Sequence, residues 1–128
     1  MKILLDTQAF LWLCLDDRSL TTKAKKIFLD KDNELLLSLA SVWEMAIKTS
    51  IGKLKLQQPF EKFILNQLQE NSIDQLPITF RHIVKVKSLD LHHRDPFDRL
   101  LIAQALEEGF SILSSDAAFD HYDVKRIW

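Results

Sequence analysis

Near its C-terminal end the chain runs His92-His93-Arg94-Asp95-Pro96-Phe97-Asp98-Arg99, which sets two carboxylates and two guanidinium groups at the mouth of an expected helix. Three more acids stand near the ends of short apolar runs. Asp6 follows Lys2-Ile3-Leu4-Leu5, Glu44 comes soon after Glu34-Leu35-Leu36-Leu37-Ser38, and Asp116 follows Ile112-Leu113-Ser114-Ser115. Acids in such places can converge at one edge of a sheet although they are far apart in the chain. Two unit charges about 5 Å apart repel by roughly 3 kcal/mol at an effective dielectric of about 20. A pocket of four acids must therefore keep protons or take a cation. Oxygen ligands suit Mg2+ or Mn2+ better than zinc, and such an ion activates water and stabilises charge on a phosphoryl oxygen. The pattern points to metal-assisted phosphate chemistry.

Each acid also has an ordinary structural use. Asp6 can cap a helix, and Glu44 can close a Ser41-Val42-Trp43-Glu44 capping box or pair with Lys48 one turn on. Asp95 can cap the helix that Asp98 favours through its dipole, and Asp116 can be a turn residue. What raises all four is their shared place at junctions on one expected edge. Arg94, Arg99, Lys48 and Lys53 are candidate phosphate contacts. His92 and His93 lack a third nitrogen or sulfur ligand at workable spacing, so they are read as a polar or RNA-contacting loop and not as a zinc site.

The elements that must position these residues alternate. Residues 2–5, 34–38, 73–76, 110–113 and 124–127 read as strands, with 53–56 as a further short extended piece. Helices are expected from about Gln8 to Leu15, after Thr21 or Thr22, from Ser41 to Gly52, after Pro59, from Thr79 to about Leu89, and from Pro96 to Gly109. This alternation predicts an α/β protein with a mostly parallel sheet and helices on both faces. In such sheets ligands bind beyond the carboxyl ends of the strands. Asp6 and Asp116 stand at such ends, and Glu44 and Asp98 fall in the first turns of the helices that follow. The apolar segment from Phe10 to Leu15 is expected either to pack in the core or to form a dimer or partner surface.

Composition narrows the field. One cysteine, Cys14, excludes an internal disulfide, and two glycines are too few for a P-loop or a dinucleotide fingerprint. The 128 residues are expected to form one domain, and the net charge of −1 requires any RNA-binding surface to be a local patch. No segment reads as a membrane span or a leader, so a cytoplasmic protein is expected.

Taken together, these motifs resemble the PIN-domain nucleases, and among them the VapC-like toxins of type II toxin–antitoxin modules. The resemblance rests on Leu4-Leu5-Asp6-Thr7-Gln8-Ala9, on Ser41-Val42-Trp43-Glu44-Met45-Ala46-Ile47-Lys48, and on Ser114-Ser115-Asp116-Ala117-Ala118-Phe119. Its most specific stretch is His93-Arg94-Asp95-Pro96-Phe97-Asp98-Arg99-Leu100-Leu101-Ile102-Ala103. Essentially the whole chain is covered, in order. The resemblance implies a PIN-like α/β/α sandwich with about five strands and a Mg2+- or Mn2+-dependent endoribonuclease that hydrolyses RNA with a metal-activated water. It also implies a cognate antitoxin and a homodimer. It implies Asp6, Glu44, Asp98 and Asp116 as the acidic quartet, with Asp95 as an added ligand or a supporting acid and with Ser114 and Thr7 as further supporting residues. Gln8 stands where this subgroup more usually has histidine. Two rival readings are a catalytically silent PIN-fold binding protein and a phosphohydrolase acting on small phosphate esters.

Overall fold

The computed structural model describes residues 1–128. Five strands form one sheet: β1 (Lys2–Leu5), β2 (Glu34–Ser38), β3 (Ile73–Leu76), β4 (Ser111–Leu113) and β5 (Arg126–Ile127). Six helices connect and cover them: α1 (Thr7–Cys14), α2 (Thr22–Leu29), α3 (Leu39–Ser50), α4 (Phe60–Glu70), α5 (Phe80–Ser88) and α6 (Pro96–Glu108). A 3-10 turn spans Ala117–His121. No helix is long and apolar enough to cross a membrane.

The strand order is β3-β2-β1-β4-β5 and every pairing is parallel. The centre of the sheet follows from composition. Ile3, Leu4 and Leu5 are fully buried, as a strand covered on both faces requires. Leu4 lies beside Leu36 on one side and Ile112 on the other. On one face, Ile3 and Leu5 pack with Phe10 and Leu11 of α1, Ala24 of α2, Met45 of α3, and Phe63 and Ile64 of α4. On the other face, Leu4 and Ile112 pack with Leu101, Ile102 and Ala105 of α6 and with Phe119 of the 3-10 turn. The result is an α/β/α sandwich.

This order fixes where a site can form. After β1 the chain moves outward to β2 and β3, then returns to place β4 on the other flank of β1. Connections therefore leave β1 and β4 in opposite directions, and a crevice opens beyond their carboxyl ends.

Several local readings change. α3 begins at Leu39, not at Ser41, because Ser38 leaves β2 in extended backbone and its Oγ accepts the Ala40 N–H at 3.0 Å. Ser41 is buried inside the helix, and Glu44 lies in its second turn and not its first. A capping box does exist, but at Thr79 and His82. Residues 53–56 form no strand; they follow a turn in which Gly52 has φ +76. β4 and β5 are shorter than expected, since β5 pairs only through Arg126 and Ile127. The segment from Phe10 to Leu15 is mostly core: Phe10 and Leu11 are buried and Trp12 packs against Trp128, leaving Leu15 exposed. Cys14 is half-buried, and burial pushes its thiol up to about 12.

The Ser38 cap can be checked directly. Ser38→Ala is expected to lower stability by about 1 kcal/mol, seen as a lower urea midpoint with an unchanged slope. An unchanged midpoint would return the helix start to Ser41.

Candidate active site

Asp6 follows β1 and caps α1. Its Oδ1 accepts the Ala9 N–H at 2.6 Å, and its own N–H donates to the Leu113 carbonyl of β4 at 3.1 Å. Asp116 follows β4 and caps the 3-10 turn, with Oδ1 accepting the Ala118 N–H at 2.9 Å. Ser114 stands between the two: its hydroxyl accepts the Asp116 N–H at 3.0 Å, and its side chain favours the ionised form of Asp6. At α6 the capping is done by Asp95, whose Oδ1 accepts the Phe97 and Asp98 N–H groups at 2.9 and 3.4 Å. That leaves the Asp98 carboxylate free for the cluster. Glu44 reaches the same edge from α3. Its Oε1 accepts the Thr7 hydroxyl at 2.7 Å, and its Oε2 lies 3.1 Å from Lys48 Nζ. Ser41 Oγ is 2.9 Å from Thr7 Oγ1 and completes this buried polar contact.

The electrostatics tie the four acids to one another. Burial pushes Asp6 up to about 6; hydrogen bonds from Ser114 and Ala9 oppose this, and the charges of Asp116 and Glu44 add to it. Burial also pushes Asp98 up to about 7, with Asp95 repelling it, His93 opposing the rise, and Glu44 and Asp6 adding to it. Asp6 and Glu44 are buried, whereas the Asp116 side chain is 45% exposed. Of the four acids that the sequence singles out, Asp98 and Asp116 converge directly, while Asp6 and Glu44, both buried, are linked to them through the effect of their charges.

His93 joins them, although the sequence reading left it in a polar loop. Its Nε2 lies 3.1 Å from Asp98 Oδ2 and 3.3 Å from Asp116 Oδ2. Potential ligand atoms of these three residues all fall within 4.8 Å of one another. One sequence signal was available: His93 stands two residues before the capping Asp95, close enough for its Nδ1 to accept the Asp95 N–H at 3.2 Å.

The candidate phosphate contacts divide. Lys48 keeps a part-exposed ammonium beside Glu44, and Arg94 is exposed on the loop before α6. Arg99 is occupied elsewhere. Its guanidinium donates to the carbonyls of Val86, Leu89, Asp90 and His93 and to Tyr122 Oη, at 3.0 to 3.5 Å. Those bonds satisfy the carboxyl end of α5 and hold the loop that carries His93. Tyr122 supports the same loop: its hydroxyl donates to the Asp90 carbonyl at 2.8 Å and accepts the His92 and His93 N–H groups at 3.1 and 2.9 Å.

This donor set fits a hard divalent cation. The oxygens of Asp98 and Asp116 converge, and two desolvated carboxylates have protonation pushed toward neutral pH, which a nearby positive charge would reverse.

A family model described as PIN domain matches residues 3–125. No curated protein sequence matches the chain. Among solved structures, the fold resembles VapBC2 from Rickettsia felis bound to a promoter DNA fragment, with TM-score 0.75, 12% identity, and coverage of 99% of this chain and 98% of that one. It also resembles VapBC-1 from nontypeable Haemophilus influenzae, with TM-score 0.69, 16% identity and coverage of 99% and 97%. A toxin–antitoxin complex from Klebsiella pneumoniae gives TM-score 0.63, 13% identity and coverage of 98% and 96%. At these identities the likeness is one of fold.

Two measurements check the geometry. Tyr122→Phe removes one hydroxyl that serves three backbone groups and is expected to cost about 1–3 kcal/mol in urea unfolding; no loss would mean the loop is held by other contacts. The second concerns pH. Asp6 and Asp98 have folded values above the ordinary 3.8, so the stability they contribute is complete below 3.8 and is lost as pH rises through about 6 and about 7. A cation stabilises only the ionised pair, so Mn2+ is expected to raise Tm more at about pH 8 than at about pH 5. Equal shifts at both would detach metal binding from these acids.

Proposed function

The chain belongs to the PIN-domain family, and from that premise we propose that it is a Mg2+- or Mn2+-dependent endoribonuclease, the toxin component of a toxin–antitoxin module. The observation that supports this reading is the convergence of Asp98 and Asp116 beyond the carboxyl ends of the strands, with the charges of Asp6 and Glu44 acting on Asp98 and those of Asp116 and Glu44 acting on Asp6. Residues 1–128 are read as one PIN-like domain acting in the cytoplasm.

Asp6, Asp98 and Asp116 would hold the cation, and Glu44 would hold it or position the attacking water. When bound, the ion supplies Lewis-acid stabilisation of charge on the phosphoryl oxygens and makes water a stronger nucleophile. The protein's own groups do the rest. Thr7 fixes one Glu44 oxygen and Lys48 neutralises the other. Ser114 favours the ionised form of Asp6. The carboxylate cluster takes the proton from the water as it attacks phosphorus in line. Cleavage on the 3′-oxygen side leaves a 5′-phosphate and a 3′-hydroxyl. Lys48 and Arg94 steady the RNA backbone, so binding weakens as salt rises.

The partners follow from the same reading. Trp43 and Ile47 on α3 and Ile51 at its C-terminal cap are exposed at helical spacing, and Ile83 and Val84 are exposed on α5. These offer apolar surface for a homodimer or an antitoxin. VapBC2 from Rickettsia felis is described as bound to a promoter DNA fragment, which supports an antitoxin partner that binds DNA.

The test is cleavage of a structured RNA with Mn2+ and with EDTA. Asp6→Asn and Asp98→Asn are each expected to lower the rate by at least about 100-fold, since each removes a charge at the centre of transition-state stabilisation. Equal cleavage by the wild type and both variants contradicts the assignment. Hydrolysis of a generic phosphomonoester without cleavage of RNA would favour a small-ester phosphohydrolase.

A further inference from the structure

The inference concerns His93 and rests on the metal-centre reading above. The backbone N–H of Asp95 can only donate, so His93 Nδ1, 3.2 Å away, is the accepting nitrogen of the ring. A neutral ring with this partner carries its proton on Nε2. That N–H faces Asp98 Oδ2 at 3.1 Å and Asp116 Oδ2 at 3.3 Å. Both oxygens are ones that a cation in the centre would need. While Nε2 keeps its proton it has no lone pair to give to a metal. Moving the proton to Nδ1 would set N–H against N–H at Asp95.

The ring is also held in place. The His93 N–H donates to Tyr122 Oη at 2.9 Å, and the His93 carbonyl accepts from Arg99 Nη1 at 3.4 Å. One face of the ring lies against Phe119, with centroids 5.9 Å apart. Asp95 is fixed in turn as the cap of α6. The donor is therefore anchored from two sides, by the 3-10 turn through Phe119 and Tyr122 and by α6 through Asp95 and Arg99.

We propose that His93 competes with the divalent cation for Asp98 and Asp116, so that it sets the cation affinity of the centre and is not itself a metal ligand. For the ion to bind, these oxygens must give up their contact with the Nε2–H, and the strength of that contact is subtracted from cation binding. The centre then fills only as the cation concentration allows. A ligand and a competitor predict opposite signs: losing a ligand weakens binding, whereas losing a competitor strengthens it.

The experiment is a calorimetric Mn2+ titration of the full chain as wild type, His93→Phe, His93→Gln and Asp98→Asn, with melting curves in EDTA to establish that each is folded. His93→Phe keeps a ring against Phe119 but removes the donor, and is expected to bind Mn2+ on the order of tenfold more tightly. His93→Gln restores an N–H donor and should return toward the wild-type value. Asp98→Asn should bind on the order of tenfold or more weakly. His93→Ala carries the same expectation as His93→Phe, so a folding defect in one does not decide the matter. Weaker or unchanged Mn2+ affinity in a folded His93→Phe or His93→Ala overturns the proposal. If the wild type itself binds no Mn2+, the metal-centre premise fails, which is a different result from a change of sign at His93.

Discussion

Acids stand beyond the carboxyl ends of a parallel sheet with two of them, Asp6 and Asp98, desolvated, and the cost of burying their charge is the constraint to which the surrounding structure answers. Each is held by a contact that leaves charge available for the site. Asp6 and Asp116 use Oδ1 to cap a helix or turn, and the Oδ2 of Asp116 is turned toward His93. Asp95 takes the capping duty at α6, which frees Asp98. Thr7 and Lys48 divide the two oxygens of Glu44. The positive ends of α1 and α6 point at the cluster and offset part of its charge. Burial works against the ionised forms, so Asp6 and Asp98 hold their protons toward neutral pH unless a cation is near.

The crevice exists because of strand order. β1 lies between β2 and β4, and the connections leave β1 and β4 in opposite directions. The fully apolar Ile3-Leu4-Leu5 run makes β1 the central strand, and the first polar residue after it is Asp6. Packing thus sets where the charge emerges. The loop before α6 is a separate construction, gathered by the Arg99 guanidinium and the Tyr122 hydroxyl through its backbone carbonyls and amides. Through that frame, Arg99 and Tyr122 decide where His93 stands.

Much of this was legible in the sequence because strand and helix signals are local. The runs at residues 2–5 and 34–38 are apolar enough to read as strands, Ile73 and Leu76 bracket a third short one, and the observed limits of all three agree. Asp98 was preferred to Asp95 because it directly precedes Arg99-Leu100-Leu101-Ile102-Ala103, the stretch that carries the family resemblance. Other features depended on contacts that no local pattern carries. The start of α3 turned on whether Ser38 or Ser41 capped it, and both are serines at workable spacing. Arg99 looked like a phosphate contact, since only tertiary structure brings the end of α5 to its guanidinium. His93 looked like loop because its partners Asp98 and Asp116 lie on different elements.

The central claim, that these acids form one cation-binding centre, is tested most directly by locating Mn2+ in crystals from its anomalous scattering. The account predicts a peak among the carboxylates of Asp6, Asp98 and Asp116, with Glu44 at its edge and the His93 ring turned away from the ion. A peak elsewhere, or none at saturating Mn2+ with the crevice open to solvent, would contradict it.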